Sequence, residues 1–218
     1  MPSPNMPAPC PLCAGADATF DSPLQRLLRP GTSRFIAQTP CFVVVPTFGC
    51  FVPGYLLVIP RAHVLYMGQL STDALREADT LVTRLSNRLT AAYGMPVLGF
   101  EYGNNVPGGR RVEHVHWHLL PSSADLAGWL DERLHGRVVA GLPGLPRDPG
   151  GSYIATRTQD GTTIVCPVPS QPRQRIRLRR VVAGLDPRVA SAEWDFEQSR
   201  FPDLIRQTVH DLAPTAAR

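Results

Sequence analysis

Three histidines at alternate positions are the residues of this sequence best suited to catalysis or metal binding: His114, His116 and His118. Residues two apart in an extended strand share a face, so the three imidazoles would line one face over about 13 Å. The sequence has only 6 histidines among 218 residues. At that frequency an alternating triplet arises by chance in about 0.005 of chains, and we therefore expect this face to be functional.

Two kinds of chemistry suit a face of three imidazoles. One is a metal site with three histidine ligands, as found in some hydrolases. The other is nucleophilic attack on phosphorus, because the ordinary pKa of imidazole, about 6.5, leaves the ring largely neutral at pH 7. The flanking histidines would then hold phosphoryl oxygens and protonate the leaving group.

The segments HVHWHLLP, which begins at His114, and PGYLLVIPRAH, from Pro53 to His63, carry a family resemblance. Together they resemble the two signature segments of the histidine triad superfamily, and the resemblance covers residues 10–121. It implies an α+β fold, in which an antiparallel sheet meander packs against one long helix. It also implies that His116 attacks the α-phosphorus of a nucleotide, while His118 contacts the phosphate and helps the leaving group to depart.

The resemblance also indicates a phosphate-binding segment just before the three histidines. Many family members carry an asparagine there, followed by Gly-Gln-Ser or Gly-Gln-Thr. In this chain the corresponding candidates, together with His118, are Asn104, Asn105, Gly109, Arg110 and Arg111. Arginines replace the glutamine and serine, which favours a more anionic leaving group than the usual purine phosphoramidates.

Cys10 and Cys13, in a segment that we predict to be a turn, have the spacing of a metal-ligand pair, which by itself is equally compatible with a redox motif or chance. Two histidines would complete a tetrahedral site. The sequence resembles zinc-containing histidine triad proteins and the related galactose-1-phosphate uridylyltransferases, whose N-terminal C-x-x-C joins two histidines. This resemblance implies a structural zinc held by Cys10, Cys13, His63 and His114.

The sequence leaves several activities open. The first is a nucleotide hydrolase that cleaves at the α-phosphate through a nucleotidyl-histidine. The alternatives are a nucleotidyltransferase or phosphorylase that passes the nucleotide to a phosphate or sugar phosphate, a nucleic-acid end-processing protein, and a His₃ metallohydrolase. The Val115 between the first two histidines favours hydrolase-like relatives over the uridylyltransferases, which have proline there.

Composition narrows the class of protein further. The formal charge is +4, lysine is absent and all 22 basic residues are arginine, a side chain well suited to phosphate. A basic run at 173–180 is either a solvated helix face or a contact for phosphate or nucleic acid. The sequence shows no signal peptide, no membrane span and no disulfide framework, so we expect a cytoplasmic protein.

The family resemblance implies in addition that the protein forms a homodimer and that it binds a nucleotide.

Apolar spacing predicts the elements that position these residues. Helical periodicity over 71–93, with cap candidates at its start and Gly94 at its end, predicts one long helix. The predicted strands are at 34–45 (interrupted at Pro40), 55–59, 97–102 and 112–120.

Changes in composition divide the chain into three parts. These are a flexible N-terminus at 1–9, a catalytic domain at 10–125 and a C-terminal extension at 126–218. Within the extension we predict a linker at 142–151, a hairpin at 152–167, and a basic helix and a final helix within 172–213.

Overall fold

The computed structural model describes residues 10–104, 113–169, 176–189 and 201–213. Its α-helices are α1 (Pro11–Ala16), α2 (Thr72–Tyr93), α3 (Leu126–Leu134), α4 (Leu178–Leu185) and α5 (Pro202–Asp211). Its strands are β1 (Ala37–Gln38), β2 (Phe42–Pro46), β3 (Leu56–Pro60), β4 (Val97–Gly103), β5 (Trp117–Pro121), β6 (Arg137–Val139), β7 (Tyr153–Arg157) and β8 (Thr163–Pro167). Among these helices none is both long and apolar enough to cross a membrane.

The strands form one antiparallel sheet of eight strands in the order β1-β2-β3-β5-β4-β7-β8-β6. The α+β class expected from the sequence is confirmed. The predicted hairpin forms as β7 and β8, and its first strand pairs with β4 along Gly99↔Arg157 to Gly103↔Tyr153. The hairpin therefore widens the sheet that carries the histidines.

Helix α2 covers one face of the sheet. The Ser71 hydroxyl accepts a hydrogen bond from the Ala74 N–H at 3.2 Å, and Gly94 ends the helix in the left-handed region at φ 63°, as expected for N-cap and C-cap residues. Its apolar stripe packs on the inward side chains of the strands, which include Phe42, Val44, Leu56, Val58, Trp117 and Leu119. This packing confirms the long helix and its single buried face.

The C-terminal helices cover the opposite face of the sheet. Apolar side chains of α3, α4 and α5 pack there against those of β2 to β5 and β7. The contributing helix residues are Leu126, Leu130, Leu178, Val182 and Ile205, and the strand residues include Val43, Leu57, Ile59, Phe100 and Leu120. Because Trp117 and Leu119 point toward α2, His118 between them points toward the face covered by the C-terminal helices.

Two local expectations differ from the structure. The strand predicted at 112–120 begins only at Trp117, so His114 and His116 lie in the segment that leads into β5. Extending the register Val58↔Trp117 places Pro60 opposite Val115, and proline cannot donate a ladder hydrogen bond. The Cys10–Cys13 segment, expected as a turn, instead runs into α1, which begins at Pro11.

Candidate active site and metal centre

His116 is held by the backbone of the segment before β5. Its Nδ1 lies 3.0 Å from the carbonyl oxygen of His114. A carbonyl oxygen only accepts, so Nδ1 carries the proton and donates it. The neutral ring of His116 therefore has its lone pair on Nε2, the nitrogen that points away from the backbone.

His118 lies on β5, between β3 and β4, opposite Leu57 and Phe100. Its ring stacks on the Phe100 ring, with centroids 4.5 Å apart and an interplanar angle of 15°. Its Nδ1 lies 2.9 Å from the Tyr55 hydroxyl oxygen. The His116 and His118 rings are 4.7 Å apart in an edge-on arrangement, so the two imidazoles are close enough to act on one phosphoryl group.

Four side chains converge at the start of α1. Candidate ligand atoms of Cys10, Cys13, His63 and His114 all lie within 4.8 Å of one another. The Cys13 sulfur is 3.3 Å from Nδ1 of both histidines, and the Cys10 sulfur is 3.5 Å from Nδ1 of His114. Tetrahedral zinc would separate sulfur and nitrogen ligands by about 3.5 Å. The donor set and its spacing therefore fit zinc.

His114 is oriented as a metal ligand requires. Its Nε2 donates to the carbonyl oxygen of Pro60 at 2.9 Å, which leaves the lone pair of the neutral ring on Nδ1, toward the two sulfurs. Burial lowers the pKa of His114, and this favours the neutral, ligating form. Such a hydrogen bond from the second nitrogen is the usual outer support of a ligating histidine.

Arg34 anchors the helix that carries the cysteines. Its side chain is buried, and its guanidinium donates to the carbonyl oxygens of Gly15 and Asp17, which lie at the C-terminal end of α1. A cation at this end of a helix satisfies carbonyls that have no partner within the helix. The position of α1, and hence of Cys13, depends on this contact.

The predicted phosphate-binding residues divide into described and undescribed ones. Asn105, Gly109, Arg110 and Arg111 lie outside the described residues. Asn104 is buried at the end of β4, and its Oδ1 accepts a hydrogen bond from Ser152 Oγ at 3.1 Å. The amide of Asn104 is thus engaged with the residue that precedes β7.

Sequence reasoning missed two residues that contact the site. Tyr55 occupies the position where the family segment P-G-H-x-L-V has histidine, and that difference was the available signal. Arg179 belongs to the basic run expected as a solvated face or a phosphate contact. Arg177 and Arg180 are exposed, whereas the Arg179 guanidinium turns inward and lies 5.2 Å from the centroid of the Tyr55 ring.

Comparison with known proteins gives one family-model match and several solved structures of low identity. The family model described as HIT domain matches residues 31–125. A HIT family protein from Bacillus subtilis is 18% identical, with a TM-score of 0.41, over 52% of this chain and 72% of its own. A Zn-bound histidine triad family protein from Mycobacterium smegmatis is 19% identical, with a TM-score of 0.39, over 54% and 78%.

A hypothetical protein from Leishmania major is similar to the same degree. It is 20% identical to this chain, with a TM-score of 0.40, and the match covers 56% of this chain and 78% of that protein. No curated protein matches the chain significantly.

Proposed function

We propose that this chain, of which residues 31–125 match the HIT domain family model, is a nucleotide hydrolase that cleaves its substrate at the α-phosphate. The observation that carries this proposal is the hydrogen bond from His116 Nδ1 to the His114 carbonyl. It places the lone pair of the neutral imidazole on Nε2, the form needed for nucleophilic attack. The substrate class is a dinucleoside polyphosphate or another nucleotide conjugate.

In the first step, Nε2 of His116 attacks the α-phosphorus. A nitrogen–phosphorus bond forms, the phosphorus–oxygen bond to the leaving group breaks, and the leaving oxygen keeps the electron pair. The His116 ring becomes cationic, because both of its nitrogens are now substituted. The His114 carbonyl, 3.0 Å from Nδ1, stabilises that charge through its partial negative charge.

In the second step, water attacks the same phosphorus. The nitrogen–phosphorus bond breaks, its electron pair returns to Nε2, and the water proton is lost to solvent, so a nucleoside monophosphate is released. His118, whose ring lies 4.7 Å from that of His116, contacts the phosphoryl oxygens in both steps through the nitrogen that faces away from Tyr55. This contact strengthens as negative charge grows on those oxygens.

We also propose that Cys10, Cys13, His63 and His114 hold a structural zinc. The spacing of the four ligand atoms and the Nε2–H of His114 directed at Pro60 support it. When bound, zinc supplies a cross-link between the N-terminal segment and the chain before β5. Four protein ligands leave no open coordination position, so the reaction proposed here uses no metal-activated water.

The test is product identification with trapping of the intermediate. Purified protein is incubated with dinucleoside polyphosphates, nucleoside phosphoramidates and nucleotide sugars, in ¹⁸O-labelled water and with or without phosphate. Hydrolysis places ¹⁸O in the released monophosphate, whereas a transferase or phosphorylase gives product only with a phosphate or sugar phosphate acceptor. Mass spectrometry of quenched enzyme should show a nucleotide adduct on His116.

Two results would contradict the proposal. An active His116→Ala protein would reject the nucleophile. Activity lost on chelation, restored by added metal and without any adduct would indicate a metallohydrolase instead. The matched control is His210→Ala, because His210 is an exposed histidine on α5 whose side chain is 90% exposed.

The nucleotide partner, the homodimer and the cytoplasmic location are further proposals. Sedimentation of the purified protein measures the oligomeric state.

A further inference from the structure

Helix α4 places the cationic side chain of Arg179 next to Tyr55, which in turn contacts His118. The Arg179 guanidinium donates to the carbonyl oxygen of Gly49 and lies 5.2 Å from the centroid of the Tyr55 ring. Its neighbours on the same helix, Arg177 and Arg180, are exposed. Moving a guanidinium partly out of water is costly unless its donors are engaged, so this inward orientation requires specific partners.

Tyr55 is the residue between that arginine and the active site. It is fully buried, and its hydroxyl oxygen lies 2.9 Å from His118 Nδ1. Burial raises the pKa of Tyr55, and the charge and hydrogen bonding of Arg179 oppose that rise. A buried hydroxyl needs a partner for its hydrogen, and the acceptor at hydrogen-bond distance is the ring of His118.

From this chain of contacts we infer that Tyr55 and Arg179 are positioning residues, which fix His118 with its proton on Nε2. The inference rests on the proposed function, in which His118 contacts the phosphoryl group. It adds that the C-terminal extension takes part in the active site through Arg179. Neither residue touches the reacting atoms in this proposal, because both act through His118.

The donor inventory determines the direction of each bond. A guanidinium has donors only, so Arg179, which lies 5.2 Å from the centroid of the Tyr55 ring and opposes the rise in the pKa of Tyr55, can offer the phenolic oxygen a hydrogen but cannot accept one. The single hydrogen of the Tyr55 hydroxyl is then directed at His118 Nδ1. A neutral imidazole that accepts on Nδ1 carries its hydrogen on Nε2. The stacked Phe100 ring, at 15° to that of His118, restricts rotation of the imidazole out of this position.

This arrangement gives His118 a donor aimed at the substrate. An Nε2–H can donate to a phosphoryl oxygen, or to the leaving oxygen as its bond to phosphorus breaks. Without the Tyr55 hydroxyl, Nδ1 can hold the proton instead, and the ring then offers a lone pair where the substrate oxygens need a donor. Loss of this contact should reduce turnover about 10- to 100-fold, the effect of one transition-state hydrogen bond.

Three substitutions perturb the arrangement at different points. Tyr55→Phe removes only the hydroxyl. Arg179→Gln removes the charge, and Arg179→Lys restores a cation without the planar fork. Gly49→Ala keeps both side chains but places a Cβ in steric conflict with Arg179 Nη2, so the flexible end of the arginine must move. The matched control is Arg180→Gln, an exposed arginine on the same helix.

Two measurements on the full chain test the inference. The first is kcat and KM: Tyr55→Phe, Arg179→Gln and Gly49→Ala should lower kcat about 10- to 100-fold with KM changed less than about threefold. Arg179→Lys should recover part of that loss, and Arg180→Gln should match the parent protein. The second is the tautomer of His118, read from ¹⁵N chemical shifts of the imidazole, which needs no substrate. The Nε2–H form should dominate in the parent protein and decline in the three variants.

The outcomes separate this inference from the proposed function. If no substrate is cleaved, the proposed function fails, while the tautomer measurement still decides whether Tyr55 and Arg179 fix His118. An unchanged tautomer and unchanged kcat in Tyr55→Phe would overturn the inference. A lower melting temperature of Arg179→Gln with normal kcat and tautomer would also overturn it, because Arg179 would then serve only to hold α4 on the sheet. If Tyr55→Phe fails to fold, Gly49→Ala carries the test.

Discussion

His114 and His116 are connected through the main chain: the carbonyl oxygen of His114 accepts the Nδ1–H of His116 at 3.0 Å. The side chain of His114 meanwhile belongs to the cluster of candidate zinc ligands. One residue thus reaches the candidate metal centre with its imidazole and the proposed nucleophile with its backbone. Displacement of His114 would disturb the proton position on His116, so the proposed zinc site would be coupled to the proposed reaction without a metal in any chemical step.

We expect one zinc per chain, and Cys13→Ser should remove it. Cys13 contacts both candidate histidine ligands at 3.3 Å, so its loss leaves three ligands. Metal content by elemental analysis should fall from one equivalent toward zero, and the melting temperature should fall with it. Because His114 supports His116, kcat should also decline. Cys41→Ser is the control, since Cys41 lies outside the cluster of candidate ligands. A parent protein that contains no metal and is fully stable would contradict the prediction.

Arg34→Gln should weaken zinc binding although no ligand changes. The buried guanidinium holds the carbonyls of Gly15 and Asp17 at the end of α1, and glutamine cannot reach both. Loss of such outer support lowers metal affinity about 10- to 100-fold, measurable by competition with a chromophoric chelator. Arg26→Gln is a suitable control, because Arg26 forms an exposed ion pair with Asp21. Equal zinc affinities for the two variants would argue against a role of Arg34 in placing Cys13.

Glu101 should make the protein less stable as the pH rises. It is fully buried on β4, and burial raises its pKa to about 8, against about 4.3 in an unfolded chain. Between these values the folded state binds more protons than the unfolded state, so the free energy of unfolding decreases as pH increases. The titration of Glu101 lowers the free energy of unfolding by up to about 1.4 kcal/mol per pH unit.

Glu101→Gln tests this pH dependence because glutamine is neutral and of nearly the same size. Melting temperatures of both proteins are compared from pH 6 to pH 9. The melting temperature of the parent protein should fall relative to that of the variant between pH 6 and pH 8. The gap between the two melting temperatures should be largest at the alkaline end, where the variant is the more favoured. Parallel melting curves over the whole range would show that Glu101 does not titrate there.

His116 and His118 should differ in their effect on single-turnover rates. His116→Ala removes the attacking nitrogen, so the rate should fall by at least about 10³-fold while nucleotide binding persists. His118→Gln retains a hydrogen-bond donor and should cost less, about 10- to 10²-fold. Single-turnover rates and nucleotide affinities of the two variants should be measured together. If His118→Gln were the more damaging change, the assignment of the nucleophile would need to be exchanged.

The sequence by itself determined the features that depend on local pattern. Helix α2 was predicted at 71–93 and begins at Thr72 with Ser71 as its cap, because amphipathic spacing and capping act within a few residues. The strands β3 and β4 also lie within about one residue of their predicted bounds. The family motifs pointed to Cys10, Cys13, His63 and His114, residues that the fold brings together.

Only the tertiary structure decided the contacts made between distant parts of the chain. Pairing of β7 with β4 and packing of Arg179 against Tyr55 join segments far apart in sequence, and no periodicity encodes which partner a strand or helix face will meet. The late start of β5 at Trp117 likewise reflects Pro60 in the neighbouring strand β3, which the register places opposite Val115. Alternation of side chains along a strand predicts that His118 and Trp117 face opposite sides of the sheet. It does not predict which of the two faces the C-terminal helices cover, because that depends on which apolar surfaces can be buried together.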